Sequence, residues 1–352
     1  MSLTIPVTID GRYFIRDGKR FNIRGIVYQP CRMAGSIARD EDYDPLRDEC
    51  LDDLHKDIKL FIELGINAIK VYTILPSLSH DAAFEALASS GIYVLVGLSN
   101  RHQCINRLRP HESYTTELVN HYLRTVDCVS KYNNVLGMVA ANSVIDNAAT
   151  TVAAEVIRAV IRDIKSHTRQ QNQLKGQRIL PVGIADGVYP STSTHSIDYF
   201  TAGDKQEQID FYSFVKYDRV IEASSHWDQV TQRFAQRNTP ILVSEYGDNS
   251  HRPRQFHEVT SLFSPKVTRV LSGGFVYDFI EGPNKYGLVM DNGQKLVDFN
   301  NLRQKFQETA TIEEYPTSEL EEYTTTLQVD YPSVSEIWRA SPDTPGSVLP
   351  SL

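Results

Sequence analysis

Cysteine is scarce: Cys31, Cys50, Cys104 and Cys128 are the four in 352 residues, with no CxxC pair and no metal-type spacing. That excludes a disulfide-built scaffold and a zinc-ribbon site, and a reduced, cytoplasmic protein is the expectation. Two further absences point the same way. The first six residues carry neither the basic nor the apolar region of a secretory signal, and residues 346–352 lack the apolar tail of a lipid-anchor signal. The longest apolar run, residues 92–98, falls far short of the ~20 residues that span a bilayer. Positive charge is in deficit, 36 Lys and Arg against 44 Asp and Glu for a net −8, and no basic stripe exists. Nucleic acid and anionic membranes are thereby excluded as main partners. Neither GxGxxG nor GxxxxGK[ST] occurs, which removes the usual phosphate turn of a doubly wound nucleotide fold. The ten His residues show no metal spacing, so neither a metal nor a cofactor is expected. Assembly into a homo-oligomer is left open.

What is present is a core-forming composition, 41% hydrophobic, cut into short apolar runs that alternate with helical patterns. The chain is organised around residues 240–247, Pro-Ile-Leu-Val-Ser-Glu-Tyr-Gly. This run is too short for a helix and ends in one carboxylate, Glu245. In an α/β barrel the C-terminal end of a strand is the active face. On position alone, a Glu that caps a helix or pairs with Arg252 or Arg254 is an equally good reading.

Asp10-Gly11 and Asp17-Gly18 favour tight turns, which predicts small antiparallel strands over residues 5–9, 13–16 and 20–23 that lid one end of a barrel. Barrel strands are predicted over 24–28, 66–72, 92–98, 135–141, 179–184, 209–215, 240–245 and 273–279. Helical spacing separates them, as in Leu51, Leu54, Ile58, Phe61 and Ile62, which Gly65 stops. Helices are also expected over 80–89 and 256–270. The reading is an α/β fold, a (β/α)8 TIM barrel with an N-terminal β-hairpin layer, as one catalytic-type domain over 1–311. A doubly wound sheet ranks second. Residues 312–352, rich in Glu, Thr, Pro and Ser, read as an irregular tail along the surface or partly disordered.

Polar and aromatic residues recur where strands should end: Tyr28 and Gln29, Tyr72, Asn142 and Ser143, Tyr217 and Asp218, Glu245 and Tyr246, Tyr277 and Asp278. Flat rings with hydroxyl tips suit sugars, so the set favours a pocket even though any single Tyr more often tops the core. Arg24 is expected to pair with Glu245 across the mouth and hold it ionised. His80 is expected to cap a helix and His226 to sit near a loop.

Several stretches occur in a fixed order between about residues 20 and 289: Ile23-Arg24-Gly25-Ile26-Val27-Tyr28-Gln29-Pro30, Leu64-Gly65-Ile66-Asn67-Ala68-Ile69-Lys70-Val71-Tyr72, His80-Asp81, Tyr132-Asn133-Asn134-Val135-Leu136-Gly137, Ser244-Glu245-Tyr246-Gly247, Arg252-Pro253-Arg254-Gln255-Phe256, Ser272-Gly273-Gly274-Phe275-Val276-Tyr277 and Asn284-Lys285-Tyr286-Gly287-Leu288-Val289. In these stretches the chain resembles the fungal cell-wall β-1,3-glucanosyltransferases, glycoside hydrolase family 72. The resemblance implies a TIM barrel, with Glu245 where that family keeps its nucleophile. It also exposes departures. The family's fourth strand ends in Ala-Gly-Asn-Glu, whose Glu is the acid/base; here Ala140-Ala141-Asn142-Ser143 stand instead. The family's Asn in the sixth strand is Val215, and two of its cysteines are Asp248 and Ala202, with Cys50 as a leftover.

A retaining glycosidase needs two carboxyl groups about 5–5.5 Å apart. A serine cannot replace the proton donor, whose contribution is roughly 10²–10⁴-fold. The function expected first is therefore an enzyme that is not a standard retaining glycosidase. It is a repurposed cytoplasmic barrel using Glu245, Asn142 and Ser143 on a small molecule such as a fungal natural-product intermediate. Tyr28, Tyr72, Tyr217, Asp218, Tyr246, Tyr277 and Arg24 would bind it. The alternatives are a β-1,3-glucanosyltransferase with an atypical acid/base, for which Asp146 and Asp218 are candidates, and a non-catalytic carbohydrate-binding module. The ligand is thus a small molecule or an oligosaccharide.

Overall fold

The computed structural model describes residues 4–30, 43–188, 192–217, 223–309 and 329–350. The Asp-Gly turns fold as their chemistry dictates, with Gly11 at φ +54° and Gly18 at φ +69°. They join strands β1 (Thr8–Asp10), β2 (Tyr13–Arg16) and β3 (Lys19–Arg20) into an antiparallel sheet. This sheet closes the N-terminal end of the barrel. Phe14 packs on Phe211 with ring centroids 6.0 Å apart, and Phe21 on Tyr93 at 5.1 Å.

The barrel strands are β4 (Ile23–Val27), β5 (Ala68–Val71), β6 (Tyr93–Gly97), β7 (Val135–Asn142), β8 (Val182–Val188), β9 (Phe211–Val215), β10 (Ile241–Tyr246) and β11 (Gly273–Val276). All eight pair in parallel, in chain order, and β11 returns to β4 to complete a closed (β/α)8 barrel. Around them run α1 (Leu51–Leu64), α2 (Asp81–Ser89), α3 (Pro110–Ser113), α4 (Thr116–Val129), α5 (Ala153–Lys175), α6 (Ser193–Thr201), α7 (Ala223–Phe234), α8 (His257–Leu262), α9 (Pro265–Thr268) and α10 (Val297–Glu308). Gly65 ends α1 in the left-handed conformation at φ 80°, as its position predicts. The single helix expected over 256–270 is two, because Pro265 starts a new helix at a position where its missing N–H costs nothing. The strand expected at 179–184 begins at Val182, after Pro181. Helices α3, α6 and α10 are additions to the predicted set.

Side chains alternate between two cores, as the period-2 pleat requires. Ile23, Val27, Ala68, Tyr93, Leu95, Leu136, Phe211, Leu242 and Phe275 fill the barrel interior together with Phe14 and Phe21 of the hairpin layer. Ile26, Tyr28, Ile69, Val71, Val94, Val96, Tyr212, Phe214, Val243 and Tyr246 face outward into the helices. Gly25 is required in the interior: a Cβ there would lie 2.2 Å from the ring of Phe275. The described part of the tail, residues 329–350, lies along the outside of α5 and α6. Trp338 is fully buried, Ser341 N–H donates to Glu155 at 2.7 Å, and Arg162 donates to the Pro345 carbonyl at 2.7 Å. Among the described residues no helix is long and apolar enough to cross a membrane.

Candidate active site

The interior of the barrel is apolar up to its last layer. There Lys70 follows Ala68 inward on β5, and Glu245 points inward from β10. Lys70 Nζ lies 3.3 Å from Glu245 Oε1 and donates to Asn142 Oδ1 at 3.0 Å, with its side chain 1% exposed. A buried ammonium is costly unless paired and hydrogen-bonded, and both conditions are met. Tyr72, just past the end of β5, donates its hydroxyl to Glu245 Oε1 at 2.6 Å. Tyr217 donates to Glu245 Oε2 at 3.2 Å. Glu245 is thus an acceptor held from three sides. Burial pushes both phenols above the usual tyrosine range, and the charge of Glu245 adds to the shift, so both remain donors at neutral pH. Burial lowers the Lys70 ammonium, with Glu245 opposing.

The pocket above Glu245 has a volume of about 400 Å³ and is bounded by Gln29, Tyr72, Asn100, Asn142, Ser143 and Tyr277, among others. Gln29 Oε1 accepts the Tyr72 backbone N–H at 3.1 Å and its amide donates to the Tyr43 carbonyl, which ties β4 to β5 at the mouth. Tyr217, Tyr277 and Tyr286 form one aromatic cluster, with centroid separations of 5.6 Å for Tyr217–Tyr286 and 5.3 Å for Tyr277–Tyr286. Tyr72 and Tyr277 of the lining and the fixed carboxylate of Glu245 together suit attack on a bound sugar.

Glu245, Asn142, Ser143, Tyr72, Tyr217 and Tyr277 come together at this mouth. Three of the expected site residues do not. Tyr28 shares the outward parity of Ile26; its hydroxyl donates to Asp57 at 2.9 Å and its ring packs on Phe61 and Phe279. Tyr246, after Glu245 on the same strand, faces outward and is fully buried. Arg24 also faces out: it donates to the Thr309 carbonyl at 2.5 Å and lies over Phe263, so the expected pair with Glu245 is not formed. Lys70 takes that place. Asp218 lies outside the described residues, as does the side chain of His226. Arg254 and Arg252 belong to Asp298 and Glu281, not to Glu245. His80 occupies the N-cap position of α2, but its side chain makes no cap bond and pairs with Asp44 instead.

Lys70 has no place in the set of strand-end residues that the sequence offers, whereas Gln29 stands in that set without a role assigned to it. Strand parity was the available signal: Lys70 shares the parity of Ala68 and Tyr72, and Gln29 that of Val27 and Gly25.

Ser143 sits just past β7 in the left-handed region at φ 51°, its N–H donating to the Ala185 carbonyl at 2.6 Å. Arg107 clamps this corner by donating to the Ser143 carbonyl at 2.6 Å and to Asp146. Asp146 also accepts from Thr150 and Asn147, so it serves as a loop anchor. Glu245 is the one carboxylate among the described residues that line this pocket. Also among the described residues, no group of three or more His, Cys, Asp or Glu is arranged to hold a metal.

A closed eight-stranded barrel with a carboxylate at the end of one strand and tyrosines at its cleft is an arrangement that glycoside hydrolases use. The particular family follows from comparison: a model described as glucanosyltransferase, glycoside hydrolase family 72, matches residues 1–310, and the chain belongs to that family. It is 33% identical over 354 residues to the 1,3-beta-glucanosyltransferase gas1 of Schizosaccharomyces pombe, covering 98% of this chain and 64% of gas1. It is 35% identical over 311 residues to gel1 of Aspergillus fumigatus, covering 87% and 66%. The apo structure of a mutant of Saccharomyces cerevisiae Gas2p superposes with a TM-score of 0.87 at 32% identity, covering 98% of this chain and 73% of that one. A Gas2p complex with laminaritetraose and laminaripentaose superposes at 0.84, with 31% identity and coverage of 98% and 75%. The chain thus spans just under two thirds of the length of the curated relatives gas1 and gel1.

The expected cytoplasmic location is corrected by this membership, because the relatives are the fungal 1,3-beta-glucanosyltransferases that the sequence resemblance names as a cell-wall family. The expectation rested on end signals and on cysteine count. A chain that covers 64% of gas1 tells nothing of leader or anchor segments, and a low cysteine count does not fix a compartment.

Proposed function

We propose that this barrel is a β-1,3-glucan-acting transglycosylase in which Glu245 is the nucleophile and the acid/base role is filled atypically. The observation that carries the reading is the trivalent hold on Glu245 by Tyr72, Tyr217 and Lys70 at the floor of an open cleft. Three donors fix the carboxylate in direction, as a group that attacks an anomeric carbon must be. Membership of the family and the laminari-oligosaccharide complex of Gas2p support the substrate class. In the first half-reaction Glu245 forms a glycosyl-enzyme; in the second, the hydroxyl of another glucan chain displaces it.

The leaving oxygen must be protonated, and Ser143 has no proton to give at neutral pH. Transfer from unactivated oligosaccharides is therefore expected to be slower by ~10²–10⁴-fold than from a donor with a fluoride leaving group. Ser143 also favours a second reading: a cleft that binds β-1,3-glucan, or a small molecule, with chemistry that needs Glu245 alone or none.

Incubation with laminari-oligosaccharides, with products resolved by chain length, tests the first reading. Products longer than the substrate support it. Calorimetric binding with no change in chain length supports the second.

A further inference from the structure

A separate constellation of reactive groups lies on the flank of the barrel, and none of its members lines the Glu245 pocket. Asp44 is fully buried. Its Oδ1 accepts the Leu46 N–H at 2.9 Å, and its Oδ2 accepts the Leu75 N–H at 2.6 Å and His80 Nε2 at 2.7 Å. Those bonds fix the imidazole, itself fully buried, with Nδ1 facing Cys128 Sγ on α4 at 3.7 Å. Cys128 is partly exposed. The neighbouring charges are already engaged: Asp81 holds Lys131 and Tyr132 at 2.8 Å each, and Asp48 accepts from the N–H groups of Ala82 and Ala83. Burial alone would lower the His80 imidazole, but the bonds to Asp44 and Cys128 outweigh it and push it up to about 9.

We propose that Cys128, His80 and Asp44 form a reactive-thiol site at which small soft electrophiles, peroxides among them, modify Cys128. The ordering matches what an activated thiol needs: a nucleophile, a base in contact with it and a carboxylate that orients the base. The thiol proton passes to His80 Nδ1, leaving a thiolate beside an imidazolium. With an α-haloamide the thiolate attacks carbon, the S–C bond forms and iodide leaves. With hydrogen peroxide it attacks one oxygen, the O–O bond breaks, and the departing hydroxide takes the His80 proton as water. Sulfur is oxidised to the sulfenic acid and the peroxide is reduced. Cys50 makes an instructive contrast, since its sulfur contacts Tyr43 and Arg47, neither of which takes its proton at neutral pH.

Peptide-resolved iodoacetamide labelling of the whole folded chain between pH 6 and 8 tests the site. Cys104, on the surface, is expected to accelerate by ~50–100-fold over that range as its thiolate fraction grows. Cys128 is expected to accelerate by less than ~5-fold, because the proposed base, His80, is in contact with it throughout that range. His80→Gln is expected to give Cys128 the steep profile while leaving the Cys104 rate unchanged, which also reports that the fold is kept. Should His80→Gln fail to fold, Asp44→Asn serves the same purpose, and the unmodified chain's profile decides alone if both fail. A Cys128 profile as steep as that of Cys104, or a Cys128 that takes no label, overturns the proposal.

Discussion

Glu245 and Asp186 are both carboxylates near the C-terminal ends of barrel strands, yet they live in different chemistry. Glu245 faces inward and meets Lys70, Tyr72 and Tyr217 beneath an open cleft. Asp186, on β8, faces outward into the helical layer, where Tyr212 donates to it at 2.7 Å. Burial pushes its carboxyl up to about 6. The same contrast separates Tyr72 from Tyr28 and Tyr246. One residue of register on a pleated strand decides whether a polar group serves the cleft or the packing.

Substitutions break the comparison in graded steps. The largest effect is expected from Glu245→Gln, which should lower transfer from laminari-oligosaccharides by ~10³-fold or more with little change in melting temperature. Wild-type activity retained by this variant would remove Glu245 from the mechanism.

Asp186→Asn should do the reverse. The folded pKa of about 6 lies above the unfolded value, so the folded state binds more protons. Stability is then full below pH ~4 and falls as pH rises through 6. The Asn variant escapes that loss, and at pH 7.5 it should be more stable by up to ~3 kcal/mol, with activity unchanged. Denaturant titrations at pH 4 and pH 7.5 read the difference; an equal effect at both values would contradict the assignment.

The smallest and sharpest pair is Tyr72→Phe against Tyr28→Phe. Loss of the Tyr72 hydroxyl should cut activity ~10–100-fold by removing a donor from Glu245. Loss of the Tyr28 hydroxyl takes one hydrogen bond from Asp57, costs ~1–2 kcal/mol of stability and should leave kcat alone. Parallel measurement of kcat and melting temperature separates them.

Much of this was legible in the chain. Short apolar runs ended by turn residues gave the eight strands, and Gly65, Asp10-Gly11 and Asp17-Gly18 gave turns with a mechanism. The ordered motifs gave the family and Glu245. What stayed hidden was the face each residue presents. Tyr28, Tyr246 and Arg24 were drawn toward the pocket by type and by nearness to strand ends, although their alternation with inward residues already placed Tyr28 and Arg24 outside. For β10 alternation alone was not enough, because the register shifts between Val243 and Glu245. Lys70 was overlooked because a lysine inside a barrel is improbable until its partners are seen. His80 was mistaken for a cap because its partner, Asp44, is 36 residues away.

The central proposal is that Glu245 is the nucleophile of this cleft. Its most direct test is intact-mass and peptide analysis after incubation with a laminari-oligosaccharyl fluoride, a donor that needs no proton on its leaving group. The expected result is a covalent glycosyl adduct mapped to Glu245 and absent from Glu245→Gln. A chain that binds the same oligosaccharide but never carries the adduct would contradict the claim.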